Sequence, residues 1–226
     1  GFDIDKIKIP DRVYLLADDI FDEMVSRNVG EYRYPLGGKL YVFNKNENIG
    51  FIKGHMCSPA IATQAEDLIA GGVKELIHVG YAGGLQPELV PGEIILTDGA
   101  FNDTAVARLY GYDYDIIHSS KDLTNEIEEM ITSAEILYKR GLHWTTDAGY
   151  RETWGQVMDY RDKGALCVEM EGVGLFTIAN YRKCVATGIY VVSDVYLEDD
   201  WKLGWEGNDI KKAVGEIIDM IIKSIR

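Results

Sequence analysis

The stretch that most constrains this chain runs Gly164-Ala-Leu-Cys-Val-Glu-Met-Glu-Gly-Val-Gly-Leu-Phe-Thr-Ile-Ala179. A short apolar run, Leu166 to Val168, delivers two carboxylates, Glu169 and Glu171, with Met170 between them. Val173, Leu175, Phe176, Ile178 and Ala179 then follow at near-helical spacing, so a strand entering a core passes into a helix leaving it. Both acids fall at the strand end, where buried carboxylates are costly unless paired or used. Further on, Gly188-Ile-Tyr-Val-Val-Ser-Asp194 repeats the design, an apolar strand ending in Ser193 and one acid. Two acid-bearing strand ends joined by a helix predict one pocket at the carboxyl edge of an α/β sheet.

The remaining chain suits that plan. With 226 residues, 46% of them hydrophobic, it can bury one sizeable core, and a single domain over residues 1–226 is expected. A formal charge of -14 opposes binding to nucleic acid and gives a phosphate-bearing substrate no long-range attraction. Cys57, Cys167 and Cys184 are scattered, as free thiols in a reducing cytoplasm would be. No apolar run is long enough for a membrane span, and the charged start is not expected to be a leader. No His, Cys or carboxylate set has metal-ligand spacing, so no metal or cofactor is expected.

In chain order, Val13 to Ala17 reads as a buried strand and Asp18 to Val25 as a helix with acids in its first turn. Residues 32–34, 39–43 and 48–53 read as short antiparallel strands between turns at Pro35, Gly37-Gly38 and Asn44-Lys-Asn46. Ser58-Pro59 reads as the cap of a helix that Gly71-Gly72 ends. Leu76 to Val79 is a central strand leading into a glycine-rich loop, and Glu93 to Thr97 another strand. Asp122 to Arg140 reads as one long amphipathic helix with Leu123, Ile127, Met130, Ile131 and Ala134 inward. Glu152 to Lys163 and Gly207 to Ile225 are the last helices, so the class is α/β, a mixed sheet flanked by helices in three layers.

Val168-Glu-Met-Glu171 with its small-residue helix, followed by Val192-Ser-Asp194, resembles the nucleoside phosphorylase and nucleosidase superfamily. Gly72 to Leu85 with Pro91-Gly-Glu-Ile-Ile-Leu96 resembles its central strand and glycine loop, and Trp144 to Thr153 a segment of one phosphorylase-like branch. The likeness spans residues 12–205 in the expected order. It implies that Glu171 and Met170, with Glu169 beside them, hold the ribose and that Asp194 protonates purine N7 as general acid. Residue chemistry points the same way. Breaking an N-glycosidic bond builds positive charge on the sugar and negative charge on the base, which calls for carboxylates at the hydroxyls and an acid at the base. A partly buried strand-end aspartate is expected to hold a raised pKa; helix capping is the plain structural alternative for these acids. Backbone at Ala82 and Gly83 is expected along the sugar or an anion, Trp144 or Tyr150 against the base, and Arg151 on a base carbonyl or a phosphate. His55 borders the sugar or is structural, while His118 and His143 read as structural.

Departures from the resemblance bear on the nucleophile. Phosphorylases of the superfamily hold phosphate with a Gly-Asp-Pro-x-Arg turn after the first strand; here the place reads Ala17-Asp-Asp-Ile-Phe21. His78 stands for a second arginine and Tyr81 for a serine. A protonated His78, or Arg33, Arg108 or Arg151, could substitute. Otherwise water replaces phosphate, activated by Asp18 or Asp19 as a glutamate does in methylthioadenosine nucleosidases. The expectation is therefore phosphorolysis of a nucleoside, purine favoured because of Asp194, with phosphate as co-substrate. Hydrolysis is the alternative, and a silent nucleoside-binding protein the third. The resemblance also implies a homo-oligomer, dimer to hexamer.

Overall fold

The computed structural model describes residues 8–197, 201–204 and 207–225. Among them β1 (Arg12–Leu16), β2 (Gly30–Tyr34), β3 (Leu40–Phe43), β4 (Asn46–Lys53), β5 (Glu75–Gly84), β6 (Ile94–Asp103), β7 (Ile116–His118), β8 (Tyr138–Thr146), β9 (Cys167–Glu169), β10 (Val185–Tyr196) and β11 (Trp201–Leu203) form one mixed sheet. Helices α1 (Asp18–Ser26), α2 (Ser58–Ala70), α3 (Val106–Leu109), α4 (Lys121–Ser133), α5 (Trp154–Asp162), α6 (Gly172–Arg182) and α7 (Asn208–Ser224) pack around it. The end of the family likeness, near residue 205, lies outside the described residues.

Three layers follow from strand alternation. In β1, Val13 and Leu15 pack towards α2 and α6 with Ile61, Ala65, Leu68 and Phe176. Tyr14 and Leu16 pack the other way, towards α1, α4 and α7, with Ile20, Met24, Ile127, Ile131 and Ile217. None of the described helices is long and apolar enough to cross a membrane.

The sheet also closes on itself. β10 runs parallel to β5 and antiparallel to β6, β6 parallel to β8, β8 parallel to β9, and β9 antiparallel to β5. Five strands thus form a ring, and the acid-bearing ends of β9 and β10 both lie against the last residues of β5.

Four expectations need correction. The strand expected to end at Asp194 runs on to Tyr196, so that acid lies two residues inside β10, in the stretch that pairs with β11. The glycines after Val79 are not a loop, because β5 continues to Gly84 and pairs there with β9 and β10. The helix over 122–140 ends at Ser133, with Ala134 exposed. Glu135 turns left-handed at φ 56°, and Tyr138 to Arg140 pair as strand with Ile94 to Leu96. Ser58 is not the cap of α2 but its first residue, and Cys57 at φ 72° takes the cap position. The last short helix before β9 begins after Thr153, whose side chain and Gln156 form a capping box.

Candidate active site

A cavity of about 690 Å³ opens where β5, β9 and β10 meet, lined by Ala82, Gly83, Glu169, Met170, Ser193 and Asp194. Tyr81 and Tyr150 line it too, so most of the residues singled out in the sequence converge here. Met56, Cys57, Gly149, Glu152, Val168 and Tyr196 complete the lining.

Glu171 is the N-cap residue of α6, though its side chain does not bond to that helix. Its Oε1 instead accepts the Cys57 backbone N–H at 2.6 Å, and Ser58 Oγ donates to the Met170 carbonyl at 2.9 Å. The start of α2 therefore clamps the Met170–Glu171 turn, with Cys57 at a positive φ of 72° at the point of contact. That close approach requires Gly174, since a Cβ there would sit 2.4 Å from the Ser58 carbonyl oxygen.

Glu169 takes the capping role for α6. Its Oε2 accepts from the Glu171 and Gly172 backbones at 2.8 and 2.7 Å. Its Oε1 accepts from Thr145 Oγ1 at 2.5 Å and His143 Nε2 at 3.0 Å. Burial works against its ionisation, but His143 and then Thr145 outweigh that and hold its pKa below the usual range. Glu171 goes the opposite way: burial, then the neighbouring Glu169 charge, push it up to about 8. Of two adjacent acids, one is kept ionised and the other keeps its proton.

At the second strand end, Ser193 Oγ lies 2.5 Å from Asp194 Oδ1. Asp194 Oδ2 leans over Gly83, where a Cβ would stand 3.3 Å from it and 3.0 Å from the Tyr196 ring. Glycine at this point makes room for the acid. Tyr196 in turn donates to Glu152 Oε2 at 2.6 Å, and burial raises the Glu152 pKa.

Other candidates fall elsewhere. Trp144 is fully buried and stacks on Tyr160 with ring centres 4.3 Å apart, so it belongs to the core and not to a base-stacking surface. Arg151 is exposed and outside the cavity lining, as is Arg108. Arg33 pairs with Glu31 and Glu47 on the surface, and Asp18 with Lys53 at 2.6 Å. It is Asp19 that approaches the cavity, accepting from Tyr81 Oη at 2.5 Å. His78 is buried, and burial lowers its pKa to about 4, so it supplies no positive charge near neutrality. The described lining thus carries acids but neither lysine nor arginine.

His78, Glu169 and Glu171 bring one donor atom each within 4.8 Å of one another. Four hydrogen bonds already occupy the acceptor positions of Glu169, which leaves too few free ligands for a cation. His143, Thr145, Cys57, Glu152 and Tyr196 are the site residues that the sequence did not single out. His143 and Thr145 alternate on one face of β8, a period-2 signal hidden when the strand's first residues are given to a helix.

The phosphorylase superfamily model matches residues 9–223. The chain belongs to this superfamily. Among curated relatives, a DeoD-type purine nucleoside phosphorylase of Exiguobacterium sibiricum is 29% identical over 188 residues, covering 82% of this chain and 78% of that protein. One from another Exiguobacterium strain is 30% identical, over 82% of this chain and 77% of its own. Among solved structures, the Toxoplasma gondii purine nucleoside phosphorylase in complex with immucillin-H superposes with TM-score 0.82 at 18% identity, covering 96% of this chain and 90% of its own. A Plasmodium knowlesi homologue of the P. falciparum enzyme superposes with TM-score 0.77, also at 18% identity, covering 96% of this chain and 88% of its own. These superpositions agree with the three-layer α/β superfamily fold.

Proposed function

We propose that the protein cleaves the N-glycosidic bond of a purine nucleoside by phosphorolysis, releasing the base and ribose 1-phosphate. The observation that carries this is the convergence of Met170 and Asp194, from two separate strands, on one cavity, with Glu171 next to Met170 but outside the lining itself. Glu171 accepts from the ribose hydroxyls, Met170 supplies an apolar wall to the sugar, and Asp194 delivers a proton to N7 of the departing base. Ser193 orients that acid. Phosphorolysis comes from the named relatives and needs no resident cofactor. Exposed Met56 and Tyr150 at the cavity mouth leave room for a second copy in a homo-oligomer.

A second reading, hydrolysis, is favoured by one observation. Where the superfamily's phosphate anchors would stand, the chain places the Asp19–Tyr81 pair and a neutral His78. A dianion needs several donors to offset its desolvation.

Base release from inosine, guanosine, adenosine, methylthioadenosine and uridine, with and without phosphate, separates the readings. Phosphorolysis gives phosphate-dependent release and ribose 1-phosphate; hydrolysis gives free ribose at an unchanged rate without phosphate. Asp194→Asn should reduce turnover by roughly 10²–10⁴ while nucleoside still binds. Full turnover in that variant would remove Asp194 from the mechanism, and silence on every substrate would leave only binding.

A further inference from the structure

One buried group has no part in the chemistry proposed above. His143 is fully enclosed between layers, yet both ring nitrogens are engaged. Nδ1 faces Thr97 Oγ1 at 2.6 Å, and Nε2 faces Glu169 Oε1 at 3.0 Å. Thr97 Oγ1 is itself set by the Gly99 N–H at 3.0 Å. Because the carboxylate can only accept, Nε2 carries a proton towards it, and the threonine hydroxyl fixes the other nitrogen. Glu169 then passes the constraint on, since its far oxygen holds the backbones of Glu171 and Gly172. A continuous line of hydrogen bonds runs from β6 through His143 and Glu169 to the turn that presents Met170 and Glu171.

Resting on the reading that Glu171 holds the ribose, we propose that His143 is a positioning residue: through Glu169 it fixes the Met170–Glu171 turn and couples sugar binding to the loss of a proton from Glu171. The physical basis is charge. His143 keeps Glu169 ionised, and the Glu169 charge beside Glu171 favours the protonated form of the latter in the empty site. Ribose hydroxyls donate, so they favour the ionised form of Glu171 and expel that proton. The groups facing this pair are His78 from β5, Tyr190 from β10, Thr145 from β8, Cys167 from β9 and Cys57 from the start of α2. None of these supplies a positive charge near neutral pH.

The test is the pH profile of nucleoside KM in wild type, His143→Leu, His143→Gln and Thr97→Val. Wild type should bind more tightly as pH rises, with a break in KM set by Glu171. In His143→Leu the break should move to lower pH and KM rise roughly 10–100-fold, as for loss of a hydrogen bond to a charged group. His143→Gln, whose amide can still donate to Glu169, should recover part of both effects. Thr97→Val, which keeps the side chain's shape but removes the hydroxyl that meets His143, should shift the break in the same direction by less. Loss of kcat or thermal stability with the break unmoved in both Leu and Val variants would make His143 merely structural and overturn the proposal. Should no nucleoside be cleaved, the same coupling is read without substrate. The fall in stability from pH 6.5 to 8 that a protonated Glu171 produces should disappear in His143→Leu and shrink in Thr97→Val, and an undiminished fall in both would equally overturn the proposal.

Discussion

At the scale of single residues, the adjacent acids Glu169 and Glu171 divide the work because their surroundings differ. Glu169 receives four hydrogen bonds, one of them from a histidine, whereas Glu171 receives backbone N–H groups and the charge of its neighbour. The raised Glu171 pKa makes a stability prediction whose sign is fixed. Between pH 6.5 and 8 the folded protein retains a proton that the unfolded chain has already lost, so stability falls as pH rises. His78, lowered from 6.5 to about 4, acts mainly below this window, where it makes stability rise with pH. Thermal or denaturant unfolding of the substrate-free protein should show a loss on the order of 1 kcal/mol across pH 6.5–8. Glu171→Gln should flatten that slope. A slope equally steep in the variant would assign it to other groups.

At the scale of elements, the site depends on how closely α2 and α6 pack. Gly174 lies against the Ser58 carbonyl, and the same turn of α2 supplies the N–H and hydroxyl that hold Glu171 and Met170. Gly174→Ala should force the helices apart, destabilising the protein by about 1–3 kcal/mol. Because the clamp opens with it, nucleoside KM should rise more than kcat falls. Unfolding curves and steady-state kinetics check both, and an unchanged KM in a destabilised protein would detach the helix contact from the site. This packing is not written in the small-residue pattern of residues 172–179, which says only that something approaches closely. The strand–acid–helix order of 166–179 was readable because apolar run and helical spacing are both local. The start of β8 was not. Tyr138, four residues after Ala134, continues the apolar spacing of α4, and only pairing with Ile94 to Leu96 takes residues 138–140 into the sheet.

At the scale of the whole molecule, a formal charge of -14 is joined by an acidic cavity. If phosphate is the nucleophile, it approaches against that field, and added salt should screen the repulsion. The apparent KM for phosphate should therefore fall as an inert salt is raised from low to physiological strength, measured by initial rates at saturating nucleoside. A KM that rises with salt would point to a cationic phosphate site instead. The likeness to the superfamily, the three-layer class and the two acid-bearing strand ends were all legible from the chain, since each rests on neighbours in sequence: apolar runs, turn glycines, the acids that follow them. Those local patterns put Met170 and Glu171 just past the end of β9, whereas Asp194 lies two residues inside β10. Tertiary structure decided what they face. Closing five strands into a ring brings the ends of β9 and β10 onto β5, turns the expected glycine loop into strand, and sets His143 and Thr145 against Glu169. Such contacts join residues dozens of positions apart, and no local preference encodes the electrostatics that lowers the pKa of one glutamate and raises that of its neighbour.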